Sequence, residues 1–412
     1  MIKSLITLLI FPVPVFLSAQ FNPENYLGSA RSDIRINEVN QKLEYLQENK
    51  ITSPWLNRVE MRIESQDLNI SPEDLRLRIN PTNPFEISMN NQYHKIQVGK
   101  LYNDMQFNLN LALRTRYGLL VTYLYLKEKI KILEEEAMRL TDEMAVIRGD
   151  SEFEPLNVEG IVDMEVKTTD LQIKQTEFKS KLEKSLVSIK LLYEFEGDIQ
   201  MVLGDLTDVK KMSSLIGEIS PEPDTANIYI SNAISDLDLR KGKYNVDLGE
   251  ARRNLGFFQA QYNTDRADPL NDRLGFEIGI RLPITNEDKA DLRRSYLDLI
   301  EDRFEISRRE LWLSEEQQFA FINVMASINK FGIVNSKLSL LFPNDSMEAY
   351  SRNADNDPND LLNIKNNLIK LKDTRLEMLY EVYLNYIEFL DVSGKLPETP
   401  LVNYLSPGLN QF

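Results

Sequence analysis

The residues able to do chemistry in this sequence are few and scattered. His94 is the sole histidine and the chain has no cysteine, so a zinc site is poorly supported. A Ser-His-Asp arrangement around His94 is possible in principle, but no spacing gathers a serine and a carboxylate near it. It reads as a helix-surface residue. Gly99-Lys100 and Gly242-Lys243 lack the upstream glycines of a phosphate loop. Asp355, Asp357 and Asp360 lack the spacing, glycine and terminal glutamate of a calcium-binding EF-hand loop. They read instead as a helix start, with Asp357 capping, Pro358 at the first position and Asp360 where a negative charge suits the helix dipole. The missing cysteines also remove disulfides, thiol nucleophiles and a lipid-anchored N-terminal cysteine. The expectation is a non-enzymatic protein with no catalytic, cofactor or metal site.

Charge and the N-terminus place the chain. Lys and Arg number 48 against 64 Asp and Glu, a net charge of −16, which repels nucleic acid and anionic head groups. Lys3, the apolar run Leu5 to Leu17 and Ser18-Ala19-Gln20 form the charged, apolar and small-residue regions of a secretory signal over residues 1–19. Cleavage is expected after Ala19, with Leu17 at the −3 position. The run is shorter than the ~20 residues of a spanning helix and contains Pro12 and Pro14. After Gln20 no stretch of ~18 apolar residues follows, so any membrane crossing would need a β-barrel.

The elements that must position anything functional are long helices. Leu119, Tyr123, Leu126, Ile130, Leu133, Ala137, Leu140, Met144 and Ile147 are spaced in steps of four and three, the seam of a coiled coil. Arg148-Gly149-Asp150 and the residues to Pro155 mark a turn. A second seam follows at Met164, Thr168, Leu171, Gln175, Phe178, Leu182, Ser185, Ile189 and Leu192, which predicts an antiparallel helix hairpin over about 86–197. A helix from Glu86 to Ile147 would be on the order of 90 Å long, a rod rather than a compact domain. The second half repeats this over about 286–395, with a break at Phe342-Pro343-Asn344-Asp345 and the apolar face Leu361, Ile364, Leu368, Leu371, Met378, Val382 and Phe389.

Period-two segments precede each long helix. Val59, Met61 and Ile63 alternate with Arg58, Glu60, Arg62 and Glu64, and Leu75, Leu77 and Ile79 alternate with Arg76 and Arg78, a β-hairpin over about 55–82. Phe258, Ala260 and Tyr262, then Phe276, Ile278 and Ile280, mark another over about 255–284. Pro81 and Pro283 lie 202 residues apart, and Gly197 and Gly394 lie 197 apart. The order of elements repeats with that offset, giving a duplicated unit: a first repeat 20–197, a Pro-containing, irregular linker at about 198–224, a second repeat 225–395 and a tail 396–412. The fold class is mainly α with a small β portion.

A β-hairpin with an apolar face cannot stand alone in water, and four strands are too few to close a barrel. Closure needs several protomers. Strands of ~8 to 11 residues suit a tilted membrane strand, with Val59, Met61, Ile63, Leu75, Leu77, Ile79, Phe258, Tyr262, Phe276, Ile278 and Ile280 facing lipid. Arg58, Glu60, Arg62, Arg76, Arg78, Glu277 and Arg281 would face a wet lumen. An ordinary soluble sheet with one face buried on the helices is the alternative. Trp55, Phe85, Phe257 and Phe276 lie where interfacial aromatics would sit, and aromatics of a sheet core are the equal alternative.

The order of elements, the run Gly275-Phe276-Glu277-Ile278-Gly279-Ile280-Arg281-Leu282-Pro283-Ile284 leading into a long helix, and helices closing near Gly197 and Gly394 resemble the TolC-like outer-membrane efflux protein family. The resemblance spans nearly the whole mature chain. It implies a homotrimer sharing a twelve-stranded barrel in outer-membrane lipid, with a periplasmic helical tunnel. It also implies a passive exit duct of a tripartite efflux or type I secretion system, working with an inner-membrane transporter and a periplasmic adaptor. The hairpin tips would form the periplasmic entrance and meet the adaptor; here they carry Asp150, Glu152, Glu154 and Glu159 in one and Asp345, Glu348, Asp355, Asp357 and Asp360 in the other. Three copies would concentrate negative potential there, favouring cations or a basic adaptor tip, with ordinary solvated loop charge as the alternative for each residue; the first turn, Ser151 to Pro155, departs from a tight family tip. The rival function is a periplasmic coiled-coil scaffold that conducts nothing.

Overall fold

A computed structural model describes residues 21–49, 56–64, 74–82, 84–150, 158–219, 226–251, 255–263, 274–280, 287–343 and 358–412. The expected signal at 1–19, Trp55 and Arg281 lie outside the described residues. In chain order the helices are α1 (Pro23–Gly28), α2 (Ile34–Glu48), α3 (Pro84–Asp150), α4 (Val158–Leu192), α5 (Val209–Glu218), α6 (Ile228–Ala251), α7 (Glu287–Leu341) and α8 (Pro358–Val392). The strands are β1 (Leu56–Glu64), β2 (Asp74–Pro81), β3 (Leu255–Asn263) and β4 (Leu274–Ile280). The run α2, β1, β2, α3, α4 recurs as α6, β3, β4, α7, α8, which is the duplication the sequence pattern predicts.

Helix α3 has 67 residues and is therefore about 100 Å long. It starts at Pro84 with Glu86 in its first turn, a proline that fits the helix start and an acid that suits the dipole there. Helix α8 starts in the same way, at Pro358 with Asp360 in the first turn. The glycines that close the two repeats, Gly197 and Gly394, have φ of +92° and +69°, a region open to glycine without steric cost. At the second, Lys395 N donates to the Leu390 carbonyl at 2.9 Å, so the last turn of α8 is satisfied by its own exit.

Helix α3 packs on α2 and α4 and also on α6 and α8, and α7 packs on α6 and α8. Close approach of α6 to α3 depends on two glycines one heptad apart. A Cβ on Gly242 would lie 3.0 Å from the Tyr93 ring, and one on Gly249 would lie 3.4 Å from the Glu86 Cα. Gly242 is thus a packing residue.

The main core sits mid-rod, where Leu113, Tyr117, Leu120 and Leu124 of α3 meet Tyr26, Leu27, Ile199, Tyr386, Phe389 and the tail residues Leu401 and Leu405. Two smaller clusters lie further along the hairpins: Leu133, Leu140, Met164 and Leu171 in one, Leu338, Phe342 and Leu368 in the other. These are seam residues, and Gln175, a polar seam position, donates to the Leu133 carbonyl at 3.1 Å. The stretch 198–224, expected to be irregular, contains the ten-residue helix α5. Its Val209, Met212 and Ile216, at helical spacing, are buried against the main core.

Candidate functional site

The four strands form one antiparallel sheet in the order β1-β2-β3-β4. Its register aligns side chains into rungs that cross every strand. Val59 opposes Ile79, Ile79 opposes Phe258, and Phe258 opposes Ile278; the next apolar rungs run Met61-Leu77-Ala260-Phe276 and Ile63-Leu75-Tyr262-Leu274. Between them lie the polar rungs Glu60-Arg78-Gln259-Glu277 and Arg62-Arg76-Gln261-Gly275. The residues expected to face lipid within the register therefore share one face, and those expected to face water share the other. Ile280 lies on the same face as Phe276 and Ile278, by the period of two.

The apolar face is not covered by the chain's own helices, as the apolar face of a soluble sheet would be. Met61 is 62% exposed and Phe276 84% exposed, whereas the Glu60 side chain is 17% exposed. Leu75 and Ile79 are half-buried, and so are Arg76 and Arg78. The apolar side is splayed and open. On the polar side Glu60 accepts from Arg58 Nε at 2.9 Å and from an Arg62 terminal nitrogen at 3.1 Å, and Gln259 donates to Glu277 at 3.1 Å. The Arg78 guanidinium stacks 3.4 Å from the centre of the Phe257 ring. That ring fills the space over Gly279, where a Cβ would come within 2.2 Å of it. The alternative of a sheet whose apolar face is buried on its own helices does not hold, since that face is the exposed one.

At the hairpin ends, Glu159 and Asp360 are exposed in the first turns of α4 and α8. Asp150 closes α3, with its side chain outside the described residues. Glu152, Glu154, Asp345, Glu348, Asp355 and Asp357 also lie outside them, so the structure brings no acidic tip cluster together among the described residues. Behind the tips, α3 is tied to α8 by a series of ion pairs. Lys129 reaches Glu377 at 2.8 Å and also bonds Asp373; Lys372 reaches Glu135 at 3.2 Å and Lys365 reaches Asp142 at 2.7 Å. Burial pulls the Lys129 ammonium pKa down, but the Asp373 and Glu377 carboxylates outweigh it and the net shift is upward.

Midway along the rod, polar side chains are buried at the two places where a short helix follows the end of another. At the first, Arg116 of α3 donates to Asp33 at 3.2 Å and to the Ser29 carbonyl at 3.3 Å, and Ser29 Oγ donates to the Leu192 carbonyl that ends α4. At the second, Gln317 of α7 and Asn227 both donate to the Val392 carbonyl that ends α8, at 2.8 and 2.9 Å. Beside it Asp391 accepts from Tyr229 Oη at 2.9 Å and from Asn110 Nδ2 at 2.5 Å. Sequence reasoning missed these groups. The available signal was Arg116, set with Asn110 and Arg114 in an otherwise largely apolar run from Leu109 to Leu126. His94, expected on the helix surface, is partly buried, and its Nδ1 is sealed from solvent.

No family model matches the chain, and no curated protein matches it. Solved structures do. The outer-membrane channel OprN aligns with a TM-score of 0.68 at 11% identity, over 90% of this chain and 89% of that one. CusC, whose structures concern folding and transmembrane channel formation, aligns at 0.64 and 12% identity, over 90% and 92%. The Neisseria gonorrhoeae MtrE outer membrane channel in its open state aligns at 0.58 and 11% identity, over 90% and 88%. Over nine-tenths of its length the chain has the TolC-like fold of these outer-membrane channels.

Proposed function

We propose that the chain is one subunit of a homotrimeric outer-membrane channel, a passive, non-enzymatic exit duct with a long periplasmic portion. It would serve a tripartite efflux or type I secretion system together with an inner-membrane transporter and a periplasmic adaptor. One observation carries the reading: a four-stranded sheet with its apolar face exposed, its charged side chains on the other face, and both outer strands unpaired among the described residues. In water each apolar rung costs free energy; against lipid the same rungs are stabilising. Turning the sheet over would instead expose Arg76 and Arg78 to hydrocarbon, at about 2 to 4 kcal/mol each near the membrane midplane. Unpaired edges on β1 and β4 are met by neighbouring copies, three of which supply the twelve strands of a closed barrel.

The helices support the same assembly. Val158, Val162, Val166 and Ile173 make an exposed apolar stripe on α4, and Leu297, Phe304 and Leu311, one heptad apart, make another on α7. Within the chain α4 packs on α3 and α7 packs on α6 and α8, so α4 and α7 are the two ends of the helix layer. Docking one copy's α7 on the next copy's α4 closes a ring and covers both stripes. The acidic hairpin ends, including Glu159 and Asp360, are then gathered at the periplasmic mouth, where they meet the adaptor or attract cations.

The test is fractionation followed by planar-bilayer recording. The protein is expected to stay with the outer membrane after salt washing, to run as a heat-modifiable trimer, and to conduct. A water-soluble protein that stays monomeric without detergent would sink the reading. A soluble trimer without conductance would instead identify a periplasmic scaffold.

A further inference from the structure

The helices at the two ends of the layer each carry a second seam that the chain does not cover. Helix α7 buries Leu313, Ala320, Val324 and Leu338 against its own neighbours. Another series on it, Phe319, Ile322, Ala326, Asn329, Ile333, Ser336 and Leu340, repeats in steps of three and four, and every member is exposed. Its four large apolar members are 51% to 72% exposed. Helix α4 has the same construction. Met164, Leu171 and Ile189 are buried, while Val166, Thr169, Ile173, Thr176, Ser180, Glu183 and Val187, with the same steps, are exposed. A helix at a true free edge presents a polar outer face, so a heptad seam open to water marks a missing helix. Each seam runs 21 residues from first member to last, about 32 Å of helix.

We infer that the α7 seam from Phe319 to Leu340 and the α4 seam from Val166 to Val187 of the next copy form an antiparallel coiled coil, with Ile333 level with Ile173 and a polar step at Asn329 and Thr176 that fixes the register. This rests on the trimeric reading above. Helix α7 runs toward the hairpin ends and α4 away from them, and a three-fold axis along the rod preserves those directions, so the two meet antiparallel. In this alignment Leu340 lies beside Val166 and Phe319 beside Val187, while Ser336 lies beside Thr169, Asn329 beside Thr176 and Ala326 beside Ser180. Ile322 beside Glu183 is the one mismatch. Sliding α7 by a heptad sets either Leu340 beside Glu159 or Ile333 beside Ser180. The flanks are complementary in charge. Lys330 and Lys337 follow the α7 seam one heptad apart, Asp170 and Glu177 follow the α4 seam at the same spacing, and all four are exposed. The alignment brings Lys337 to Asp170 and Lys330, which also reaches Glu381 of its own chain at 2.9 Å, to Glu177. A polar residue at a single seam position specifies register in coiled coils, which is the role of Asn329. Because one chain supplies both halves of this fit, the occupant of each seam is a second copy.

The chain has no cysteine, so a pair of introduced cysteines reports one contact. In Ile173→Cys/Ile333→Cys the two positions lie at opposite ends of the chain's own helix layer, and a disulfide between them joins two copies. Oxidation of the full-length protein in membranes is expected to give covalent dimers and trimers on a denaturing, non-reducing gel. Lys181→Cys/Ile333→Cys, with Lys181 off the α4 seam, is expected to stay monomeric on the same gel. Trimers that assemble without a cross-link between positions 173 and 333, or that cross-link equally from position 181, overturn the inference. Should the cysteine variants fail to assemble, charge reversal decides: Lys337→Glu should lower the temperature at which the trimer dissociates, and Lys337→Glu/Asp170→Lys should restore it. A double variant no better than the single one overturns the pairing. A wild-type protein that never forms a trimer is a different result, because it removes the assembly itself.

Discussion

Two aspartates anchor the two mid-rod junctions, and they have opposite electrostatic fates. Asp33 at the first has a side chain 6% exposed; Asp391 at the second is fully buried. Burial pushes both carboxyl pKa values up. At Asp33 the hydrogen bonds from Arg35 and Arg116 outweigh burial, and the pKa lies below its ordinary 3.8. At Asp391 burial wins over Arg114, Tyr229 and Asn110, and the pKa is raised. Asp33 has two arginines at salt-bridge distance, Arg35 at 3.0 Å and Arg116 at 3.2 Å, and Asp391 has Arg114 at 2.8 Å. The Arg116 side chain is 2% exposed and that of Arg114 44%. Distance alone does not decide the outcome. Asp33 collects bonds from Arg35, from the Arg35 backbone N–H and from Arg116, enough to outweigh its burial, whereas the more deeply buried Asp391 has Arg114 and two neutral donors.

The largest expected effect comes from breaking the first junction. Arg116→Met takes one of two arginines from Asp33, with Arg35 remaining at 3.0 Å, and leaves the Ser29 carbonyl short of a donor. Losing a charged hydrogen bond while the second arginine stays costs about 1.5 to 3 kcal/mol, read as a lowered unfolding midpoint of the detergent-solubilised protein. An effect under about 1 kcal/mol would mean that the junction is open to water.

The comparison sharpens in the pH dependence. Asp33, with a depressed pKa, contributes stability that is present above the ordinary 3.8 and lost as pH falls through its lowered value. Asp391, with a raised pKa, favours folding when protonated; that contribution is full below 3.8 and lost as pH rises through its raised value. Asp391→Asn is therefore expected to raise the melting temperature at neutral pH, with the advantage vanishing on acidification. Asp33→Asn should lower it at neutral pH, with the deficit shrinking as the wild type is acidified. Melting curves from about pH 3 to 7 for both variants check the signs, and parallel profiles would remove the distinction. Gln317→Leu comes next in size. It takes one donor from the Val392 carbonyl, which Asn227 still serves, so about 1 kcal/mol is expected.

How much of this was legible in the sequence follows from what a repeating pattern encodes. The seams at Leu133, Leu140, Met164 and Leu171 and the strand alternation at Met61 or Phe276 are periodic, and periodicity reports which face is apolar. It does not report whether that face is covered, and for the sheet the exposure of Met61 and Phe276 shows that the chain's own helices do not cover it. Arg116, Asp391 and Gln317 were illegible because the distant segments they touch meet only after folding: Asp33 lies 83 residues from Arg116. Helix α5 was obscured by Pro221 and Pro223 close behind it, although Val209, Met212 and Ile216 already had helical spacing. The acidic tips were legible as composition, and of their residues only Glu159 and Asp360 have described side chains.

The smallest effect belongs to the outermost tie between α3 and α8, and it tests the same rule at the other extreme. Lys365 and Asp142 are 2.7 Å apart, closer than Arg116 and Asp33, yet their side chains are 34% and 56% exposed. If distance governed stability, Lys365→Ala would cost at least as much as Arg116→Met. If shared burial governs, water and salt screen the pair, and the loss is under about 1 kcal/mol and shrinks further as salt is raised. Lys129 lies between these cases, its side chain 7% exposed and paired with Glu377, which is 48% exposed; its removal leaves a solvated acid rather than a stranded one. A salt-insensitive loss at Lys365 as large as that at Arg116 would overturn this expectation, because it would show an exposed pair acting as a buried one.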